Sequence, residues 1–151
     1  MSKILIRSRD AIEQMHFAPK TALISITDAN YSFAELTSEP DYTIRLAFDD
    51  VDNDIFADVV TDVDRSIVAE RYHMLSDEQA RQIAEFYAEI RDKVDIIICQ
   101  CEHGQSRSAA VAAAILEYRS RSGIRIFAHD KYYPNKAVFN KVLQALKAIE
   151  R

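Results

Sequence analysis

The sequence predicts an α/β fold with a mostly parallel central sheet flanked by helices, and three observations carry that expectation. Short, mostly apolar runs of strand length recur, chiefly Ala22 to Ile26 and Val94 to Cys99. Runs of this kind suit strands buried on both faces, as in parallel sheets. Helical patterns stand between and after them, and strand–helix alternation is the signature of a layered α/β architecture. The length, 151 residues, suits one domain spanning residues 1–151.

The elements follow in order. Ile4-Leu5-Ile6, between Lys3 and Arg7, is a brief strand, and Asp10 to His16 has room for one or two helical turns. Ala22 to Ile26 is a buried strand. Tyr42, Ile44, Leu46 and Phe48 recur at every second position, the period of a strand with one wetter face. Asp49 to Asp64 is acidic and irregular, and Asp64 to His73 is read as a short helix. Ser76-Asp77-Glu78-Gln79 forms a capping box, in which the serine hydroxyl accepts from the third helical N–H and the glutamine reaches back. Ile83, Phe86, Tyr87 and Ile90 then repeat at helical spacing and give that helix one apolar face. Val94 to Cys99 is the central strand. Arg107 to Tyr118 is a helix made thin by Ala109, Ala110, Ala112, Ala113 and Ala114, so its axis can lie close to the sheet. Gly123 suits its C-terminal stop, and Ile124 to Phe127 is ambiguous. Asn135 caps a final helix on which Val138, Val142 and Ile149 share a face, flanked by Leu143 and Leu146.

Composition narrows the function classes. Hydrophobic content of 48% and charged content of 28% are those of an ordinary globular chain, able to bury a core without staples. Acids outnumber bases 24 to 19, and no basic cluster is present, so neither nucleic acid nor a membrane surface is expected as a partner. No apolar run approaches the roughly 20 residues that span a bilayer, and the first residues lack signal-peptide character. The two cysteines, Cys99 and Cys101, are too close in sequence for an unstrained bridge. A reducing compartment, hence the cytoplasm, is the expectation.

One stretch carries chemistry: Cys101-Glu102-His103-Gly104-Gln105-Ser106-Arg107, set between a strand and an alanine-rich helix. It holds one of only two glycines in the chain, which marks a tight turn. A thiol, successive backbone N–H groups and a guanidinium meet there at a helix N-terminus. That combination is an oxyanion site with a nucleophile in its floor.

The segment from Ile98 to Ala110 resembles the Cys-x5-Arg signature of the protein tyrosine and dual-specificity phosphatase superfamily, with Gly104 and Ser108 both fitting the pattern. Weaker likeness extends to Ala22 to Ile26, Ile44 to Asp50 and Pro134-Asn135, so it touches most of the chain. The chain departs from the family at Gln100, where histidine usually precedes the cysteine. The resemblance implies a phosphotyrosine phosphatase-like fold and a compact enzyme of the dual-specificity or small bacterial and phage type. It also implies hydrolysis of phosphotyrosine, or of phosphoserine and phosphothreonine as well, in a phosphorylated protein or peptide. No cofactor and no metal are required.

By the same resemblance Cys101 is the nucleophile and Arg107 holds two phosphoryl oxygens with its planar fork. Backbone N–H groups of Glu102, His103, Gly104, Gln105 and Ser106 cradle the remaining charge. Ser108 assists the departing sulfur, or is a helix-cap hydroxyl. Asp50 is the general acid, with Asp49 as runner-up and Asp52 and Asp54 behind. His103 supplies only its backbone N–H or touches substrate; Cys99 is a core residue or a resolving thiol. Gln100 can hydrogen-bond but cannot carry charge. Two other classes stay open: a catalytically silent phosphoresidue-binding module, and an arsenate reductase or rhodanese-like thiol enzyme. Asp50 to Asp54 begins like a calcium loop, but Ile55 and Thr61 occupy the positions that need glycine and glutamate. Cys99, Cys101 and His103 lack a nearby fourth ligand for zinc.

Overall fold

A computed structural model of the chain describes residues 1–51, 65–67 and 71–149. Four strands form one sheet: β1 (Lys3–Ser8), β2 (Thr21–Thr27), β3 (Tyr42–Ala47) and β4 (Ile96–Cys101), in the order β1-β4-β2-β3. All three pairings are parallel, with Ile6 beside Cys99, Ile24 beside Cys99 and Ile26 beside Leu46. All seven residues of β2 are buried, as an apolar run in an inner strand requires. β3 lies at an edge and exposes Arg45, which accounts for its wetter alternation.

Strand alternation sorts side chains onto two faces. Ile6, Ile24, Ile26, Ile97, Cys99 and Cys101 face the larger core, with Ile83 and Tyr87 of α2 (Asp77–Ile90), Val111 and Ile115 of α3 (Arg107–Ser120), and Val138, Val142 and Leu146 of α5 (Lys136–Ala148). Leu23 and Ile98 face a smaller cluster with Ile12 of α1 (Arg9–Glu13) and Ala34. Each fully buried isoleucine or leucine contributes about 1.5–3 kcal/mol relative to exposure. Every residue of α3 from Arg107 to Ile115 is buried, which its five alanines permit.

Several boundaries differ from expectation. β4 begins two residues later than Val94 and runs two residues past Cys99, so Cys101 is the last strand residue and does not follow the strand's end. α1 stops at Glu13, short of His16. α3 is ended by Arg121, in the left-handed region at φ 54°, and not by Gly123. Gly123 is there for space: a Cβ would lie 2.7 Å from the Ala113 carbonyl oxygen. Ile124–Phe127 forms a short helix, α4. On α5 the buried face is Val138, Val142 and Leu146, while Ile149 is only partly buried. Of the helix read over Asp64 to His73, residues 65–67 and 71 are helical and 72–73 are not, while 64 and 68–70 lie outside the described residues. The capping box at Ser76 and the Asn135 cap form as the residues suggest. No helix among the described residues is long and apolar enough to cross a membrane.

Candidate active site

In a parallel sheet the carboxyl ends of all strands share one edge, and that edge is where ligands bind. Here Asp28 follows β2, Asp49 and Asp50 follow β3 closely, and Cys101 ends β4. Residues 102–106 then turn the chain into α3. The turn depends on Gly104, whose φ of +69° is costly for any side-chain-bearing residue. Space forbids a side chain too, since a Cβ would lie 2.8 Å from the Arg7 carbonyl carbon and the Ser8 nitrogen. The loop is therefore seated directly on the end of β1. The Arg9 N–H also donates to the Glu102 carbonyl at 3.1 Å.

Cys101 is turned toward α3, and its Sγ lies 3.1 Å from the Ser108 hydroxyl. Burial alone would push this thiol up. The Ser108 hydroxyl and N–H, the Arg107 charge and the Gly104 N–H act the other way and leave it below its ordinary value. Cys99, on the same strand face, is pushed up to about 12 by complete burial and by its neighbour Cys101. Gln100 points to the opposite face. Its Oε1 accepts from the Ser25 hydroxyl at 2.5 Å, and its Nε2 donates to the Cys101 carbonyl at 3.1 Å and the Ile26 carbonyl at 3.4 Å. This neutral amide braces the strand beneath the loop without adding charge.

Arg107 is buried, and its Nη1 is anchored twice, to the Phe48 carbonyl at 2.8 Å and to the Asp28 carboxylate at 2.7 Å. Its Nε is buried and has no partner among the described residues. Leaving such an N–H unpaired costs about 1–3 kcal/mol, and an oxyanion above Cys101 would relieve it. A cavity of about 270 Å³ opens there, lined by Asp50, Cys101, His103, Gln105, Ser106, Arg107 and Tyr133. A larger cavity of about 540 Å³, beside Ser2, Arg91 and Asp95, lies where β1 and β4 begin and contains neither thiol.

The two leading candidates for the acid differ sharply. Both carboxylate oxygens of Asp49 are taken by backbone N–H groups, those of Ala29 at 3.1 Å and His73 at 2.8 Å. Asp50 lines the cavity, and its Oδ1 accepts from the Ser106 hydroxyl at 2.7 Å and from Asn135 Nδ2 at 3.0 Å. Asp52 and Asp54 lie outside the described residues. Within the loop, His103, Gln105 and Ser106 line the cavity, whereas the Glu102 carboxylate pairs with Arg9 at 3.6 Å and Gly104 is buried. Among the described residues no group of three or more His, Cys, Asp or Glu side chains could hold a metal ion.

Asp28 and the amide nitrogen of Asn135 were not signalled by the sequence as part of this site. Asp28 sits just past an apolar strand, and only the parallel register places it beside Arg107. Tyr133 is brought to the rim by its N–H, which donates to the Gln105 carbonyl at 2.8 Å.

No protein-family model matches the chain, and no curated protein matches it in sequence. Solved structures do match. Human DUSP28 aligns over 97% of this chain and 93% of its own, at 14% identity and a TM-score of 0.52. PTPMT1, solved in complex with PI(5)P, aligns over 87% of this chain and 79% of its own, at 14% identity and a TM-score of 0.50. The fold is that of a dual-specificity phosphatase. In this dual-specificity phosphatase fold the Cys101 loop, Asp28 and Asp50 all lie at the carboxyl edge of the sheet.

Proposed function

We propose that the chain is a cysteine-dependent phosphomonoester hydrolase acting on phosphotyrosine in proteins or peptides, with phosphoserine and phosphothreonine as further substrates. The observation that carries this reading is the setting of Cys101: a thiol with a lowered pKa, 3.1 Å from Ser108, in the floor of a cavity walled by Arg107. The Cys101 thiolate attacks phosphorus while the ester P–O bond breaks. Its electron pair leaves with the substrate oxygen, which takes a proton from Asp50. Arg107 Nε and the loop N–H groups hold the phosphoryl oxygens, and the Asp28 and Phe48 contacts to Nη1 keep the guanidinium from swinging away. In the second step the Asp50 carboxylate takes a proton from water. The hydroxyl oxygen bonds to phosphorus, the S–P bond breaks, and the Ser108 hydroxyl donates to the departing thiolate. Catalysis here is positioning and electrostatics, the main terms in phosphoryl transfer.

Residues 102–106 include no lysine or arginine. A multiply phosphorylated headgroup would attract more cation than this rim offers, which favours a protein or peptide substrate. Two free, buried cysteines suit action in the cytoplasm. Hydrolysis of para-nitrophenyl phosphate by the wild type, falling to the uncatalysed rate in Cys101→Ser, is the expected result. Phosphotyrosine binding without hydrolysis by the wild type would make the chain a silent binding module. Turnover that needs arsenate or thiosulfate would make it a different thiol enzyme.

A further inference from the structure

Asn135 does more than its place before α5 requires. A helix cap needs only an acceptor, which Ser, Thr or Asp supplies as well as Asn. Asn135 Oδ1 fills that role by accepting from the Val138 N–H at 3.1 Å. The amide nitrogen has two further donors, and both are directed away from the helix. Nδ2 donates to Asp50 Oδ1 at 3.0 Å and to the Val51 carbonyl at 3.1 Å. The Asn135 N–H also meets the Ser106 carbonyl at 3.3 Å, and the Ser106 hydroxyl donates to the same Asp50 oxygen at 2.7 Å. Asn135 is only 7% exposed, so water competes little for these bonds. One side chain thus joins the start of α5 to the segment after β3, and its backbone joins both to the Cys101 loop.

We propose that Asn135 is a positioning residue for proton transfer, fixing which oxygen of Asp50 carries the proton. With two donors on Oδ1, a proton on the carboxyl group goes to Oδ2, which has no hydrogen bond among the described residues. From Oδ2 it passes to the substrate oxygen as the P–O bond breaks and that oxygen gains the bonding pair. The carboxylate left behind keeps its orientation for the water of the second step. This inference rests on the reading of Asp50 as the general acid.

The test is a leaving-group series of aryl phosphates, from para-nitrophenyl phosphate, whose phenol is acidic and departs unaided, to phenyl phosphate, whose oxygen needs a proton. Asn135→Ser keeps an acceptor for the Val138 N–H and removes the amide donors; Asn135→Thr does the same, with no added charge beside Asp50, should the serine variant fold poorly. The expected result is a kcat/KM loss about tenfold greater for phenyl phosphate than for para-nitrophenyl phosphate, less than the roughly 10²–10⁴-fold that a general acid itself supplies, as befits a residue that only positions it. Asp50→Asn should give the same slope more steeply, and the double variant should be no steeper than Asp50→Asn, as for residues acting through one group. A loss equal across the series in both Asn135 variants, with Asp50→Asn still leaving-group dependent, would reduce Asn135 to a cap. If Asp50→Asn itself shows no such dependence, the assignment of the acid falls and the inference falls with it.

Discussion

Cys99 and Cys101 sit two residues apart on one face of one strand, yet their thiols are driven in opposite directions. Cys99 has only burial and a neighbouring sulfur, and both raise its pKa, to about 12. Cys101 is also buried, but the Ser108 hydroxyl, two N–H groups and the Arg107 charge outweigh that burial. Iodoacetate should therefore modify Cys101 in the native protein. Because the folded pKa is lowered, the thiolate persists as pH falls through the ordinary thiol range near ~8.5 and is lost only below it. Cys99 should react only after unfolding. Inactivation rates that follow an ordinary thiol titration, or equal labelling of both cysteines, would refute this. Gln100 sharpens the expectation. It is a neutral amide where the resembled signature has histidine, so it places no ionisable group beneath the thiol. That much follows once the side chain's direction is known. The sequence reveals the substitution but not that Gln100 bonds Ser25 across the sheet.

The loop from Cys101 to Arg107 was legible in the sequence because its parts are contiguous. The glycine, the thiol and the guanidinium lie within seven consecutive residues, and Gly104 fits there for two separate reasons. Gly104→Ala should destabilise the protein by at least about 1–2 kcal/mol from the left-handed backbone alone. The contact with the Arg7–Ser8 backbone adds to that. A fall in the urea midpoint with unchanged m would record it, and a neutral effect would mean that the loop is not seated on β1. The ends of elements were less legible. β4 runs to Cys101 because Gln100 and Cys101 keep pairing with Arg7 and Ser8 of β1, a partnership no local pattern displays. Gly123 was read as a helix stop on conformational grounds, whereas the stop is Arg121 and the glycine answers a close approach to Ala113. Asn135 was legible as a cap because capping is local; its bond to Asp50 spans 85 positions and is not.

At the scale of the whole molecule, the parallel register does what sequence proximity cannot. It brings the residues after β2, β3 and β4 to one edge, so that Asp28 meets Arg107 and Asp50 meets Ser106. The α/β class was readable from the alternation of apolar runs and helical faces. The choice between Asp49 and Asp50 was not, because both follow the same strand and differ only in what surrounds them. Backbone N–H groups occupy both oxygens of Asp49, while Asp50 opens on the cavity. The large core behind this edge, with α3 lying flat on β4 and β1, places the sulfur beneath the cavity with little freedom to move. The central claim is that this sulfur becomes bonded to phosphorus. Rapid acid quenching during turnover of an aryl phosphate, followed by mass spectrometric mapping, tests it most directly. A phosphoryl group on Cys101 is the expected result; turnover that leaves Cys101 unmodified and places the phosphoryl group on His103, or on no residue, would contradict it.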